Sequence, residues 1–121
     1  MVVCLAMGNT DLRLKDTSEG RAETLRAGLL DHTEAVQFAR QAQALSDPTR
    51  LTILLLIRAA GKLCVSDICL IVDRKQSIVS KHLKTALDAG LLSNYRFDLW
   101  VYYEITPTGE RLLAALLNES D

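Results

Sequence analysis

Apolar positions recur three and four residues apart through the middle of the chain, the spacing of one helix face. Ala35, Phe38, Ala39, Ala42 and Leu45 form one such stripe, which predicts a helix from about Thr33 to Leu45 with Thr33 as its cap. Ser46-Asp47-Pro48 interrupts the pattern. Asp47 is a good N-cap, and Pro48 suits the first helical position. Leu51, Ile53, Leu54, Leu55, Leu56 and Ile57 then crowd most sides of a helix from Pro48 to about Ala60, the expected central core helix, which Gly61 ends. Val65, Ile68, Cys69 and Val72 keep the same spacing over Val65–Val72, so all four are expected to face the core. After a polar turn at Asp73 to Lys75, a helix over Gln76–Ala89 carries Ile78, Val79, Leu83, Ala86 and Leu87 as its inner stripe, and Gly90 ends it.

Beyond Gly90 the period changes. Leu91–Arg96 and Leu99–Ile105 are short runs of strand formers, and a turn near Phe97-Asp98-Leu99 makes them a β-hairpin. The turn chemistry is weak, because neither Gly nor Asn stands at the tip. Thr106-Pro107 opens a last helix to about Asn118, whose Leu112, Leu113, Leu116 and Leu117 make a wider apolar face than one small core needs. At the other end, Met1–Gly20 has no sustained period and reads as a flexible arm, residues 1–20. Residues 21–121 read as one domain, with one or two helical turns in Arg21–Leu30.

The expected fold is therefore mainly α with a small β-hairpin: helix, tight turn, helix, then hairpin, the order of a winged helix-turn-helix. In such a pair the second helix enters the major groove of DNA with its N-terminal residues at base edges. Charge changes the picture here. The whole chain of 121 residues has a formal net charge of −1, so nucleic-acid binding must rest on local charge. From Arg74 to Ala86 there are four Lys or Arg residues and no acid. Arg74, Lys75, Lys81 and Lys84 are candidates to neutralise phosphates. Gln76, Ser77 and Ser80 are candidates to bond base edges or phosphates. Arg96, on the first hairpin strand, is a candidate for the backbone or minor groove, although Asp98 at the tip argues against a strong wing contact. The competing reading of the charge run is a solvated helix face.

The motifs also resemble a known family. Leu45-Ser46-Asp47-Pro48-Thr49-Arg50-Leu51-Thr52-Ile53-Leu54 resembles the "L-[SA]-D-P-T-R-L-x-I-L" segment of the ArsR/SmtB family, bacterial metal- and metalloid-responsive repressors. Leu63-Cys64-Val65-Ser66-Asp67-Ile68 resembles its "L-C-V-C-D-L" box, and Gln76-Ser77-Ile78-Val79-Ser80-Lys81-His82-Leu83 its recognition-helix signature "Q-S-x-V-S-x-H-L". Gly90-Leu91-Leu92 and Val101-Tyr102-Tyr103 are similar to its helix end and second wing strand, so the likeness runs from about Phe38 to Leu113. It implies a homodimer built through N- and C-terminal helices, binding double-stranded operator DNA of roughly two-fold symmetry. It also implies release by an inducer that prefers the free dimer.

The inducer expected from the resemblance is a thiophilic metal or metalloid ion of the arsenite, antimonite, cadmium or lead class, held by cysteine thiolates. Cys64 matches the first cysteine of the box, but Ser66 replaces the second. Cys4 on the arm and Cys69 are the further candidates. Cys69 lies about 140° round an ideal helix from Cys64 and on the expected core stripe, so packing as a small hydrophobe competes with ligation. A site on the last helix is rejected, since that helix has Glu110 and no His. His32 is read as a possible cap of the first clear helix, and His82 as packing or touching DNA.

Two alternatives stay open: a redox or reactive-sulfur sensor of the same fold using a cysteine pair, and a winged-helix interaction module that senses nothing. No enzyme is expected, because no Ser/His/Asp grouping, phosphate loop or carboxylate cluster is present. No organic cofactor or membrane span is expected either. Three cysteines without a disulfide pattern fit a reducing cytoplasm.

Overall fold

The computed structural model describes residues 19–119. These fall into two compact units that divide between Glu34 and Ala35. In the first unit, α1 spans Glu19–Ala27, starting inside the segment read as an arm; residues 1–18, with Cys4, lie outside the described residues. α2 spans His32–Ala44, so it begins at the end of the first unit and runs, from Ala35 onward, in the second. Its cap is Asp31, not Thr33 or His32. The Asp31 carboxylate accepts from the Glu34 N–H at 2.8 Å, and Glu34 Oε1 accepts from the Asp31 N–H at 3.3 Å. That reciprocal capping box satisfies two end donors at once, which a lone Thr33 cannot do.

In the second unit α3 spans Pro48–Ala60, capped by the Asp47 side chain on the Arg50 N–H at 3.0 Å. Ile53, Leu54 and Ile57 are fully buried, each worth roughly 1.5–3 kcal/mol of burial. Gly61, at φ 91°, turns the chain out of the helix. α4 (Val65–Val72) and α5 (Gln76–Asp88) follow, joined by a turn in which Asp73 takes the left-handed conformation at φ 55°. Ile68 from α4 and Val79, Leu83 and Ala86 from α5 close the core over α3, with Val65, Cys69 and Val72 packed partly buried against it. Ile78 corrects the expected stripe of α5: it is 40% exposed. It lies one residue before Val79, about 100° round the helix, on the flank of the buried face rather than its centre.

The hairpin runs as β2 (Leu92–Phe97) and β3 (Trp100–Ile105), antiparallel, with Phe97 opposite Trp100. Asp98 supplies the positive φ, 60°, that the two-residue turn needs; Asp tolerates this conformation, so the absence of Gly at the tip does not prevent the turn. Leu91 is not in the strand. It is buried in the core instead. A third strand, β1 (Leu63–Cys64), pairs with Tyr103 and Tyr102 of β3, giving the sheet order β1-β3-β2. Two residues are too few to show a period, which is why the pattern did not predict it.

The last helix, α6, spans Pro107–Leu116, shorter at its C-terminal end than expected. Thr106 caps it, its hydroxyl accepting from the Gly109 N–H at 3.0 Å and donating to the Gly90 carbonyl at 2.7 Å. Leu113 is buried, while Leu116 and Leu117 stand 56% and 47% exposed. Phe38 on α2 is likewise 52% exposed, so the α2 stripe, apart from Leu45, stays open among the described residues.

Candidate nucleic-acid interface

α5 begins at Gln76 with Lys75 in the capping position and no side-chain cap. The Ile78 and Val79 N–H groups bond the Lys75 carbonyl at 3.0 and 3.1 Å, which leaves the Gln76 and Ser77 amides and the positive end of the helix dipole facing outward, a local preference for phosphate. Arg74, Lys75, Gln76, Ser77, Ser80, Lys81 and Lys84 are all exposed. They share the outer side of α5 and the turn before it, opposite Val79, Leu83 and Ala86, so burying the apolar stripe turns these polar side chains outward. Lys84 lies 3.4 Å from Asp88 one turn on, a pair exposed on both sides and thus weakly bound in water. Arg74 donates at 3.4 Å to the carbonyl of Asp73. Arg96 is exposed on β2, one strand position from the turn residue Asp98's neighbour Phe97.

Pattern reading missed Arg50, which meets α5, and Lys62, which meets the hairpin. Arg50 donates from Nη1 to His82 Nδ1 at 3.1 Å, so His82 is tied to α3. Arg50 stands in the family-like Asp47-Pro48-Thr49-Arg50 segment, but nothing along the chain pairs it with a residue so distant. Lys62 sits 5.8 Å from the Tyr102 ring centroid. A bond to Tyr95 chiefly raises its pKa above the usual lysine value. Tyr95 and Tyr102 stack across the strands with centroids 5.7 Å apart.

Cys64 is buried, at the junction of β1 and the N-cap of α4. Its Sγ donates to Asp67 Oδ2 at 3.3 Å and lies 3.3 Å from Ser66 Oγ. Cys64 and Cys69 are both free thiols, and both line one cleft of about 500 Å³. Gln76 at the start of α5 and Leu99 and Trp100 of the hairpin form its other walls. The structure thus brings Cys69 to the same cleft as Cys64 while also packing it against the core. Among the described residues, no three His, Cys, Asp or Glu side chains group as a metal site. No helix among them is long and apolar enough to cross a membrane.

Comparison with known proteins agrees with this arrangement. Residues 47–94, from the α3 cap into β2, match the family described as "Bacterial regulatory protein, arsR family". The arsenical resistance operon repressor of Escherichia coli (strain K12) is 37% identical over 76 residues, 63% of this chain and 65% of that protein. The chain thus spans just under two thirds of that relative's length. The HTH-type transcriptional regulator NmtR of Mycobacterium tuberculosis is 35% identical over 91 residues, 75% of this chain and 72% of that protein. Among solved structures, a homodimeric winged helix-turn-helix DNA-binding domain from Mycobacterium bovis matches with a TM-score of 0.66 at 30% identity, over 76% of this chain and 87% of that one. With a three-stranded wing behind a helix-turn-helix pair, and relatives alike over most of their length, the chain belongs to the arsR family of bacterial regulatory proteins.

Proposed function

We propose that this chain is a dimeric transcriptional repressor that binds operator DNA through α5 and is released from it by a thiophilic metal or metalloid ion. One observation carries the DNA-binding reading: the exposed side of α5 and its preceding turn is cationic and acid-free from Arg74 to Ala86, in a chain of net charge −1. Arg74, Lys75, Lys81 and Lys84 neutralise phosphates, Gln76, Ser77 and Ser80 meet base edges or the backbone, and Arg96 reaches the flanking backbone. The uncovered apolar residues Phe38, Leu116 and Leu117 support a homodimer, which would present α5 twice to successive grooves.

The inducer reading rests on the thiols. Cys64 and Cys69 face one cleft that also touches Gln76 and the wing, so occupancy there bears on the DNA-reading surface. Cys64 and Cys69 would give two thiolates and Cys4 a third, the donor set a soft trigonal ion takes. The E. coli relative's name, arsenical resistance operon repressor, supports arsenite as the first ion to try. A second reading, a thiol switch, draws on the same pair: hydrogen peroxide oxidises two thiols to a disulfide and is itself reduced to two waters.

The deciding experiment is fluorescence anisotropy on a labelled duplex from the chain's own upstream region, titrated with arsenite, antimonite, cadmium, lead and peroxide. Release by an ion, lost in Cys64→Ser while operator binding persists, supports the ion reading. Release by peroxide alone supports the switch. No binding to that duplex overturns both.

A further inference from the structure

A single guanidinium joins three elements of the second unit. Arg50, in the first turn of α3, donates from Nε to the Ala44 carbonyl at 2.7 Å and from Nη2 to the Gln43 carbonyl at 3.2 Å. These are carbonyls of the last turn of α2; that of Gln43 also accepts from the Ser46 N–H at 3.0 Å and the Ser46 hydroxyl at 2.7 Å, and both carry the negative end of the helix dipole, so a cation is favourable there. Nη1 reaches His82 Nδ1 on α5 at 3.1 Å, and both side chains are at least partly buried. The Arg50 N–H, in turn, is held by the Asp47 carboxylate.

Guanidinium has donors and no acceptor, so His82 Nδ1 must offer its lone pair and the ring proton must sit on Nε2. Among the described residues, this is the side-chain hydrogen bond that leaves α5. The others on that helix, Lys84 to Asp88 and Thr85 to the Lys81 carbonyl, stay within it. Val79, Leu83 and Ala86 hold α5 by burial, which is strong but non-directional. The Arg50–His82 bond is directional. His82 follows Lys81 directly and Ser80 by two residues, so a roll of α5 that breaks the bond turns those side chains too.

We infer that Arg50 is a positioning residue for DNA binding: through His82 it ties the roll of the recognition helix to the C-terminal end of α2. This rests on the DNA-binding reading above and adds a route by which rearrangement of α2 alters operator affinity without touching DNA.

The test measures operator affinity and its salt dependence on the full chain for Arg50→Lys, His82→Leu, the double variant and His82→Asn. Asn offers a side-chain oxygen near the place of Nδ1. The expected result is a loss of about tenfold for each of the first two, the scale of a hydrogen bond to a charged group. The double variant should lose no more than either single, and His82→Asn should recover most of the affinity. The slope of log K against log salt should remain that of the wild type throughout, because no phosphate contact is removed.

Three results would overturn the inference: unchanged affinity in His82→Leu, additive losses in the double variant, or a slope lowered by about one in His82→Leu, which would make His82 a charged phosphate contact. His82→Leu leaves the α2 and Asp47 bonds of Arg50 in place, so it carries the test if Arg50→Lys folds poorly. Failure of the wild type itself to bind the duplex would instead sink the parent reading.

Discussion

Lys81 and Gln76 lie five residues apart, both exposed on α5, yet chemistry gives them different tasks. Lys81 is a point charge, so its truncation should weaken binding to every duplex alike and lower the salt slope by about one. Gln76 pairs donor and acceptor, so Gln76→Ala should relax preference at one base position, by about 1–3 kcal/mol, and leave the slope unchanged. Titrations of both variants at several salt concentrations, against matched and singly altered duplexes, separate these outcomes. Cys64 stands apart from both. It is buried, with its thiol donating to Asp67, and only shares the wall of a cleft with Gln76, so Cys64→Ser should lose induction and keep operator binding.

Contacts between elements explain why α5 is held out for use. α6 docks where Gly109 meets the chain after α5: a Cβ at that position would come within 2.5 Å of the Leu91 carbonyl oxygen and 3.0 Å of Ile105 Cγ2. The first neighbour is backbone and cannot swing aside. Gly109→Ala should therefore cost about 1–3 kcal/mol, read as a lower urea midpoint with unchanged slope. α3 and α6 are also joined by Arg58, which bonds Glu110 through Nε at 2.9 Å and Nη2 at 2.8 Å, and bonds Glu119 through Nη1 at 3.0 Å. Bonding to Arg58 holds both carboxyls below the usual glutamate range. Their contribution to stability is therefore complete above the unfolded glutamate value and is lost as pH falls through the lowered folded values. Thermal unfolding from pH 7 down to pH 3 should show a shallower acid decline in Glu110→Gln than in the wild type.

At the level of the whole molecule, the uncovered residues Phe38, Leu116 and Leu117 call for a partner, and a second copy also matches the two-fold symmetry expected of an operator. Sedimentation should give a dimer at micromolar concentration. Leu116→Glu combined with Leu117→Glu should give a monomer with unaltered helical content and greatly weakened operator binding.

Much of this architecture was legible in the chain. Four helices, α3 to α6, announce themselves because one face of each is buried and burial imposes a period, so Val65–Val72 has the bounds its spacing predicts; the hairpin, buried only at Leu92, announces itself through its runs of strand formers. The outer residues of α5 were legible as the complement of its inner stripe. What stayed hidden depends on partners far away along the chain. β1 is two residues long and owes its existence to pairing with β3. The cleft uniting Cys64, Cys69 and Trp100 arises only when the hairpin folds back over α4. Arg50 meets His82 because α3 and α5 share a core. Ile78 misled because a stripe read from apolarity alone cannot tell a helix flank from its buried centre.

Operator binding through α5 is most directly tested by comparing the wild type with Gln76→Ala/Lys81→Ala on a duplex from the chain's own upstream region, with an unrelated duplex of equal length as reference. The wild type should bind its own duplex at least 10³-fold more tightly than the reference, as specific regulators do, and the double variant should lose most of that ratio while unfolding at the same temperature. An equal ratio in the two proteins would contradict the assignment of α5 as the DNA-reading helix.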